Sequence, residues 1–322
     1  MTDSTRVALA LGSGGARGYA HIGVIQVLEE RGYEIAGISG TSMGALVGGL
    51  HAAGKLEPYA EWVGQLTQRD VFRLLDPSFK APGAIRGEKI MARVSELLDD
   101  VTFEELNIPF TAVASDLLAR KEVWFQRGRV DSAVRASIAL PSFITPVMLN
   151  GRLLADGGMM NPVPIAPLSS LQADLTVAVE LSGDATTEEP SKAPATESAD
   201  ERPESEWQGR LRRGLGQVME SDTIRRVTAR FDTGRGEPDG DPEPEILVDE
   251  SSELPSGLGM LDVMQLSIET MQSVVARYRM ASYPPDILIS VPRNAARTLD
   301  FHRGADMVAL GRELTEQALD SM

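Results

Sequence analysis

The period of the hydrophobic positions changes repeatedly along the first half of the chain. Val7–Leu11 is a continuous apolar run that stops at a glycine cluster, the pattern of a strand buried on both faces. Tyr19–Arg31 follows with Ile22, Val24, Ile25, Val27 and Leu28 at helical spacing, and Gly32 stands where a helix C-cap needs it. Ile35–Ser39 predicts a second short strand. Met43–Ala53 predicts a second helix, built of small residues and closed by Gly54. Strand, glycine turn and helix, repeated once, is the signature of a parallel α/β sheet. Further on, Phe110–Ser115, Glu122–Gln126 and Leu175–Leu181 read as strands. Asn150-Gly151 between Met148–Leu149 and Arg152–Ala155 signals a type I′ hairpin.

After Leu181 the pattern breaks. Residues 184–206 hold eight acids, two bases and three prolines among Ser, Thr and Ala, a composition that cannot bury enough surface to order itself. Residues 207–231 recover helical periodicity. Residues 236–253 carry eight acids and no base and read as loop. A long apolar-periodic helix runs from Leu258 to about Met280, Pro284-Pro285 breaks it, Ile287–Val291 reads as a strand and Ala305–Leu319 as a last helix. The expected division is a core over residues 1–183, an acidic flexible insertion over 184–256, and a helix–strand–helix over 257–322 that completes the core.

Composition narrows the class. A hydrophobic fraction of 42% over 322 residues suits a globular enzyme of one large or two modest domains. No cysteine is present, so a disulfide framework, a thiolate metal site and a cysteine nucleophile are excluded. No apolar run approaches the ~18 residues of a membrane span, and Val7–Leu11 is too short for a secretory signal. These features predict a soluble cytoplasmic protein. The net charge of −16 disfavours nucleic acid as a partner. That charge has an address, however. Outside the two acidic stretches the chain holds 31 acids and 29 bases, so its body is nearly neutral.

Candidate chemistry concentrates at two glycine turns. Gly40-Thr41-Ser42-Met43-Gly44 is a G-x-S-x-G between a predicted strand and a predicted helix, the context of a nucleophile elbow. The following helix N-terminus places a positive dipole end beside an oxygen that would carry negative charge. The second turn is Gly12-Ser13-Gly14-Gly15-Ala16-Arg17-Gly18. A dinucleotide fingerprint from Gly12 would need glycine at Arg17, and a Walker A loop needs G-K-[ST] where Gly18-Tyr19 stands. What remains is an anion hole of glycine N–H groups at a helix start. Both turns lie on the carboxyl-end rim of a doubly wound sheet, where they can converge. Arg17 reads equally as a brace for the loop, a source of positive potential, or a surface residue.

A base for Ser42 has several candidates. Of the three histidines, only His302 suits a triad in Ser–Asp–His order, while His21 and His51 lie on the first two helices. The alternative is a carboxylate acting directly on the serine. Asp156, in Leu154-Ala155-Asp156-Gly157-Gly158, ends an apolar strand, and the two glycines keep its approach open. Asn161-Pro162-Val163-Pro164 then fixes the chain. A desolvated aspartate with a raised pKa suits a general base. No clustered metal-ligand spacing is seen, and no cofactor is called for.

Taken together these residues resemble the patatin-like phospholipase family, most closely its short bacterial members. The glycine loop, Gly40–Gly44 and Asp156-Gly157-Gly158 stand in the family's order. Ala136-Ser137-Ile138-Ala139-Leu140-Pro141-Ser142-Phe143 is similar to its A-S-x-A-x-P-x-x-F block, with Phe143 one place early. The likeness covers residues 6–181 and about 257–320. It implies a three-layer α/β/α patatin-like fold with a mostly parallel central sheet, and hydrolysis of lipid acyl esters by a Ser–Asp dyad without histidine. On that resemblance Ser42 is the nucleophile and Asp156 the base. Gly14, Gly15 and Gly18 line the oxyanion hole with the Met43 N–H, and Arg17, Gly40, Gly44, Gly157 and Gly158 support them. Ser13 departs from the family's three consecutive glycines.

The resemblance implies a lysophospholipase or phospholipase A type of enzyme acting on a lipid or fatty-acyl ester. An acyltransferase on the same elbow, or a regulatory protein retaining the fold, are the alternatives. Trp62, Phe72, Leu74, Leu75 and Phe79 flank a Pro/Gly-rich stretch, Pro77–Gly87, that reads as a lid or as ordinary core and surface loop. The helix over 207–231 sets Leu211, Leu215, Val218, Ile224, Val227 and Phe231 among six arginines. It suits docking on an anionic inner-membrane surface or packing against the body of the protein.

Overall fold

A computed structural model describes residues 4–75, 83–85, 87–184 and 260–322, which belong to one compact unit. The amphipathic stretch 207–231, both acidic segments and Phe79 lie outside the described residues.

The main sheet has eight strands: β1 (Arg6–Leu11), β2 (Glu34–Thr41), β4 (Phe110–Asp116), β5 (Lys121–Phe125), β7 (Val147–Leu149), β8 (Arg152–Asp156), β9 (Leu175–Gly183) and β10 (Ile287–Pro292). Their spatial order is β10-β9-β1-β2-β4-β8-β7, with β5 also paired to β4. The five strands β10, β9, β1, β2 and β4 run parallel, as the repeated strand–turn–helix pattern requires. Beyond β4 the sheet turns antiparallel, because β4–β5 and β7–β8 are joined by short turns that allow no crossover. Asn150 and Gly151 have φ of 50° and 75°, the geometry of the expected I′ turn. Two short strands, β3 (Gly83–Ile85) and β6 (Ser142–Ile144), form a separate parallel pair.

Helices cover both faces of the sheet, and β1 shows why it must be apolar throughout. Val7, Leu9 and Leu11 face the larger cluster, which includes Ile22 and Ile25 of α1 (Ala20–Glu30) and Leu46 and Leu50 of α2 (Met43–Ala52). Ala8 and Ala10 face the other side, where Ala178, Val163, Ile165 and Ala276 join them. Small residues on that second face let α7 (Met260–Ser282) approach closely. The architecture is therefore α/β in three layers.

Four helices that the periodicity reading passes over fill the region between β2 and β8. They are α3 (Leu56–Gly64), α4 (Gln68–Leu75), α5 (Glu88–Leu98) and α6 (Val130–Ser137). Trp62 belongs to α3, and Phe72 and Leu74 to α4. Pro58 sits in the first turn of α3, where a missing N–H costs nothing. Leu56, Tyr59 and Val63 then bury one face of that helix. The last helix, α8 (Gly304–Asp320), packs on α1 through two glycines. A Cβ on Gly23 would overlap the Val308 carbonyl, and one on Gly311 would overlap that of Ala20. Backbone contact this close explains why a helix from the far end of the chain seats firmly on the first one.

Candidate active site

Strand register brings two distant residues together. Thr41, the last residue of β2, pairs with Val113 of β4, and Ala114 of β4 pairs with Asp156, the last residue of β8. Ser42 and Asp156 therefore stand at the same level of the sheet on either side of β4. The Ser42 hydroxyl lies by the Asp156 carboxylate and favours its charged form.

Ser42 stands in a sharp turn with φ of 57° and ψ of −120°, a region that residues with a Cβ rarely adopt. Several contacts hold it there. Its N–H donates to Ser137 Oγ at 2.8 Å, and Ser137 Oγ donates to the Val113 carbonyl at 2.6 Å. Thr41 Oγ1 donates to the Asn161 carbonyl at 2.9 Å. Strand and helix meet so closely that a Cβ on Gly40 would overlap the Gly44 carbonyl, and one on Gly44 would overlap that of Leu11. Both glycines of the elbow are thus required by space.

Asp156 is almost wholly enclosed. Its N–H donates to the Ala139 carbonyl at 2.9 Å, and its Oδ1 accepts the Gly158 N–H at 2.7 Å. Burial pushes its pKa up to about 6, against the opposing effect of the Ser42 hydroxyl and of the Gly158 N–H. Gly157 is hemmed in by the Val113 carbonyl, which leaves no room for a side chain.

The glycine loop lies beside this pair. Gly12 N–H donates to the Val179 carbonyl at 3.0 Å and Ser13 N–H to that of Pro162 at 2.8 Å, so the departure at Ser13 removes no free donor. The N–H groups of Gly14 and Gly15 have no hydrogen-bond partner among the described residues. Gly14, Gly15, Ser42, Met43 and Asp156 line one cavity of about 610 Å³. Gly15 has φ of 58° and packs against Thr298. Gly18 is placed differently: it lies under Met43, where a Cβ would overlap the methionine side chain.

Arg17 is buried. Its Nη1 donates to the carbonyls of Arg293 at 2.8 Å and Ala296 at 3.2 Å, and its Nη2 lies 3.9 Å from Glu269. It braces the glycine loop against the C-terminal segment. None of the three histidines is recorded in a hydrogen bond with Ser42 or Asp156. His21 is fully enclosed, its Nε2 lies 2.8 Å from the Gly12 carbonyl, and burial pushes its pKa down to about 4. A neutral, immobile ring of this kind is a core residue. His51 Nε2 is 3.4 Å from Glu29, and His302 sits in the 3₁₀ turn Phe301–Arg303.

The cavity has both apolar and polar lining. Leu46, Tyr59, Trp62, Leu66, Val71 and Ile144 are apolar. Gln265, Gln272, Ser273 and Arg277 of α7, with Ser182 and Arg293, add polar groups, and α7 also brings Leu266 and Ile268. Sequence reasoning quoted Ser137 without giving it a task and passed over Gln272. The first is a serine within the block A-S-x-A-x-P, whereas the second carries no local signal. Among the described residues no group of three or more potential metal ligands clusters, and no helix is long and apolar enough to cross a membrane.

A fold of this kind, with a strained serine against a buried aspartate, defines a class, and comparison with known proteins agrees. The family model described as patatin-like phospholipase matches residues 9–169, and the chain belongs to that family. An uncharacterized NTE family protein of Mycobacterium tuberculosis is 47% identical, over 99% of this chain and 93% of its own length. Human patatin-like phospholipase domain-containing protein 6 is 31% identical over 56% of this chain, which corresponds to 14% of that protein. The lysophospholipase nte1 of Emericella nidulans is 30% identical over 54% of this chain and 12% of its own length. Among solved structures, VipD from Legionella pneumophila superposes with a TM-score of 0.50 at 16% identity, over 99% of this chain and 67% of that one.

Proposed function

We propose that the protein is a serine acyl-ester hydrolase acting on lipids, of the lysophospholipase or phospholipase A type, and that Ser42 and Asp156 are its catalytic dyad. The juxtaposition of a serine in a strained turn with a buried carboxylate whose pKa is pushed up to about 6 carries this reading. A base poised near neutrality accepts a proton readily and returns it readily, which one group must do twice per turnover.

In the first half-reaction Asp156 takes the Ser42 proton as the hydroxyl oxygen attacks the ester carbonyl. The tetrahedral oxyanion is held by the free N–H groups of Gly14 and Gly15 and by the start of α2 at Met43. On collapse the C–O bond to the alcohol breaks, and Asp156 passes the proton to the departing oxygen. In the second half-reaction Asp156 takes a proton from water. The resulting hydroxide attacks acyl-Ser42, and the carboxylic acid leaves as Ser42 regains its proton.

The apolar lining suits the acyl chain, and the name of the fungal relative, a lysophospholipase, points the same way. In this reading residues 184–256 are an insertion between two parts of one catalytic unit. Its basic stretch 207–231 meets an anionic membrane surface as a peripheral contact. The decisive test is labelling with a fluorophosphonate, followed by peptide mapping. A covalent adduct on Ser42 is expected. Full ester hydrolysis by Ser42→Ala would overturn the proposal.

A further inference from the structure

The polar lining of the cavity holds a donor that the dyad chemistry leaves unused. Gln272 lies on α7, and its Nε2 is buried yet has no hydrogen-bond partner among the described residues. A buried amide donor without an acceptor costs stability, and native structures rarely tolerate one without a use. Its position is defined by Gly158. A Cβ on that glycine would lie 2.5 Å from Ser13 Oγ and 2.7 Å from Gln272 Nε2. Gln272 and Ser13 therefore converge on the residue whose N–H holds the Asp156 carboxylate. Glycine at 158 is what admits them.

This places Gln272 on a particular side of the reaction. The acyl chain has the apolar lining, and the oxyanion has the glycine loop. What remains is the alcohol half of the ester, which must lie next to Asp156 to receive its proton. We infer that Gln272 binds the alcohol portion of the substrate, its amide N–H donating to an oxygen of a glycerol-type or phosphorylated leaving group. The inference rests on the proposed hydrolase reading. It adds that the site selects esters of oxygen-rich alcohols over esters whose alcohol offers no acceptor. Such selection is strong because a site built to donate is left unpaired by the wrong substrate.

The test compares three esters of one medium-length acyl chain: the p-nitrophenyl ester, the 1-monoacylglycerol and the 1-acyl lysophosphatidylcholine. Gln272→Met keeps the side-chain length and removes the donor. Its kcat/KM is expected to fall about tenfold more for a glycerol ester than for the p-nitrophenyl ester, one hydrogen bond being worth that order. A loss shared by both glycerol esters puts the contact on a glycerol oxygen, and a loss confined to the phosphorylated one puts it on a phosphate oxygen. Either supports the inference. Equal losses on all three esters, or no loss on any, overturn it. Gln272→Glu, which also lacks the donor when ionised, decides the matter if the methionine variant does not fold. Persistence of hydrolysis in Ser42→Ala would instead remove the underlying reading, an outcome visible separately.

Discussion

Ser42 and Asp156 stand side by side at one level of the sheet, and the strand carrying neither of them lies between their two strands. β4 runs parallel to β2 and antiparallel to β8, and the register of the two pairings, Thr41 with Val113 and Ala114 with Asp156, sets Ser42 and Asp156 at the same level of the sheet although their strands run in opposite directions. The antiparallel half of the sheet is thus part of how the site is made.

Removal of either partner is expected to abolish ester hydrolysis. Ser42→Ala lacks the nucleophile, and Asp156→Asn keeps the shape but cannot take the proton. Each variant should lose roughly 10³-fold or more in kcat. His302→Ala should stay within about threefold of wild type, because the dyad needs no imidazole. Turnover of a medium-chain p-nitrophenyl ester, with circular dichroism to verify folding, checks all three.

The pKa of Asp156 predicts opposite pH trends for activity and stability. The base form is required, so kcat/KM should rise with pH through a midpoint near 6. Burial raises the folded-state pKa above the unfolded value of ~3.9. Between those two values the folded state binds more protons, so this group makes the fold less stable as pH rises from about 4 to above 6. Below the unfolded pKa the penalty vanishes. Asp156→Asn should therefore gain on wild type across that window, by about 2 kcal/mol at pH 8 relative to pH 4. Urea unfolding at the two pH values measures the difference. A constant gap would refute the assignment.

Backbone strain at Ser42 should be measurable. Ser42 holds a φ of 57° that glycine adopts freely. Strain of this kind costs of order 1–3 kcal/mol, and the greater unfolded-state entropy of glycine offsets part of the relief. Ser42→Gly is expected to be about 1 kcal/mol more stable than Ser42→Ala in chemical denaturation. Both should be inactive.

Ser137 links the nucleophile turn to β4 by accepting from Ser42 N–H and donating to the Val113 carbonyl. Ser137→Ala leaves both groups buried and unpaired, which should lower stability by about 1–3 kcal/mol. The loosened turn should also lower kcat about tenfold with little change in KM. Steady-state kinetics on the purified variant, alongside its melting curve, separate the two effects.

Much of the framework is legible in local sequence. Val7–Leu11 and Leu175–Leu181 declare buried strands by apolar content alone, and Asn150-Gly151 declares its hairpin by turn chemistry. Helices α3 to α6 were harder to see. No glycine turn after a buried strand announces them, half of α6 is Ser and Ala, and their faces are defined by neighbours from other parts of the chain. Gln272 was invisible for a related reason. It is one polar residue among others on a long helix, and only packing turns it toward Gly158.

Sequence by itself determined which residues have the chemistry. Gly40 must be glycine for a steric reason that acts within a few residues, whereas Gly44 is required by the approach of Leu11 on β1, and the strand–turn–helix order places Ser42 at the head of α2. Tertiary structure decided what those residues face. Asp156 acquires its raised proton affinity through burial. Arg17 becomes a brace because the C-terminal segment offers it carbonyl groups. His21 becomes a core residue because it is sealed beneath the glycine loop. Proton affinity depends on solvation and on partners brought from across the sequence, so no local pattern can specify it.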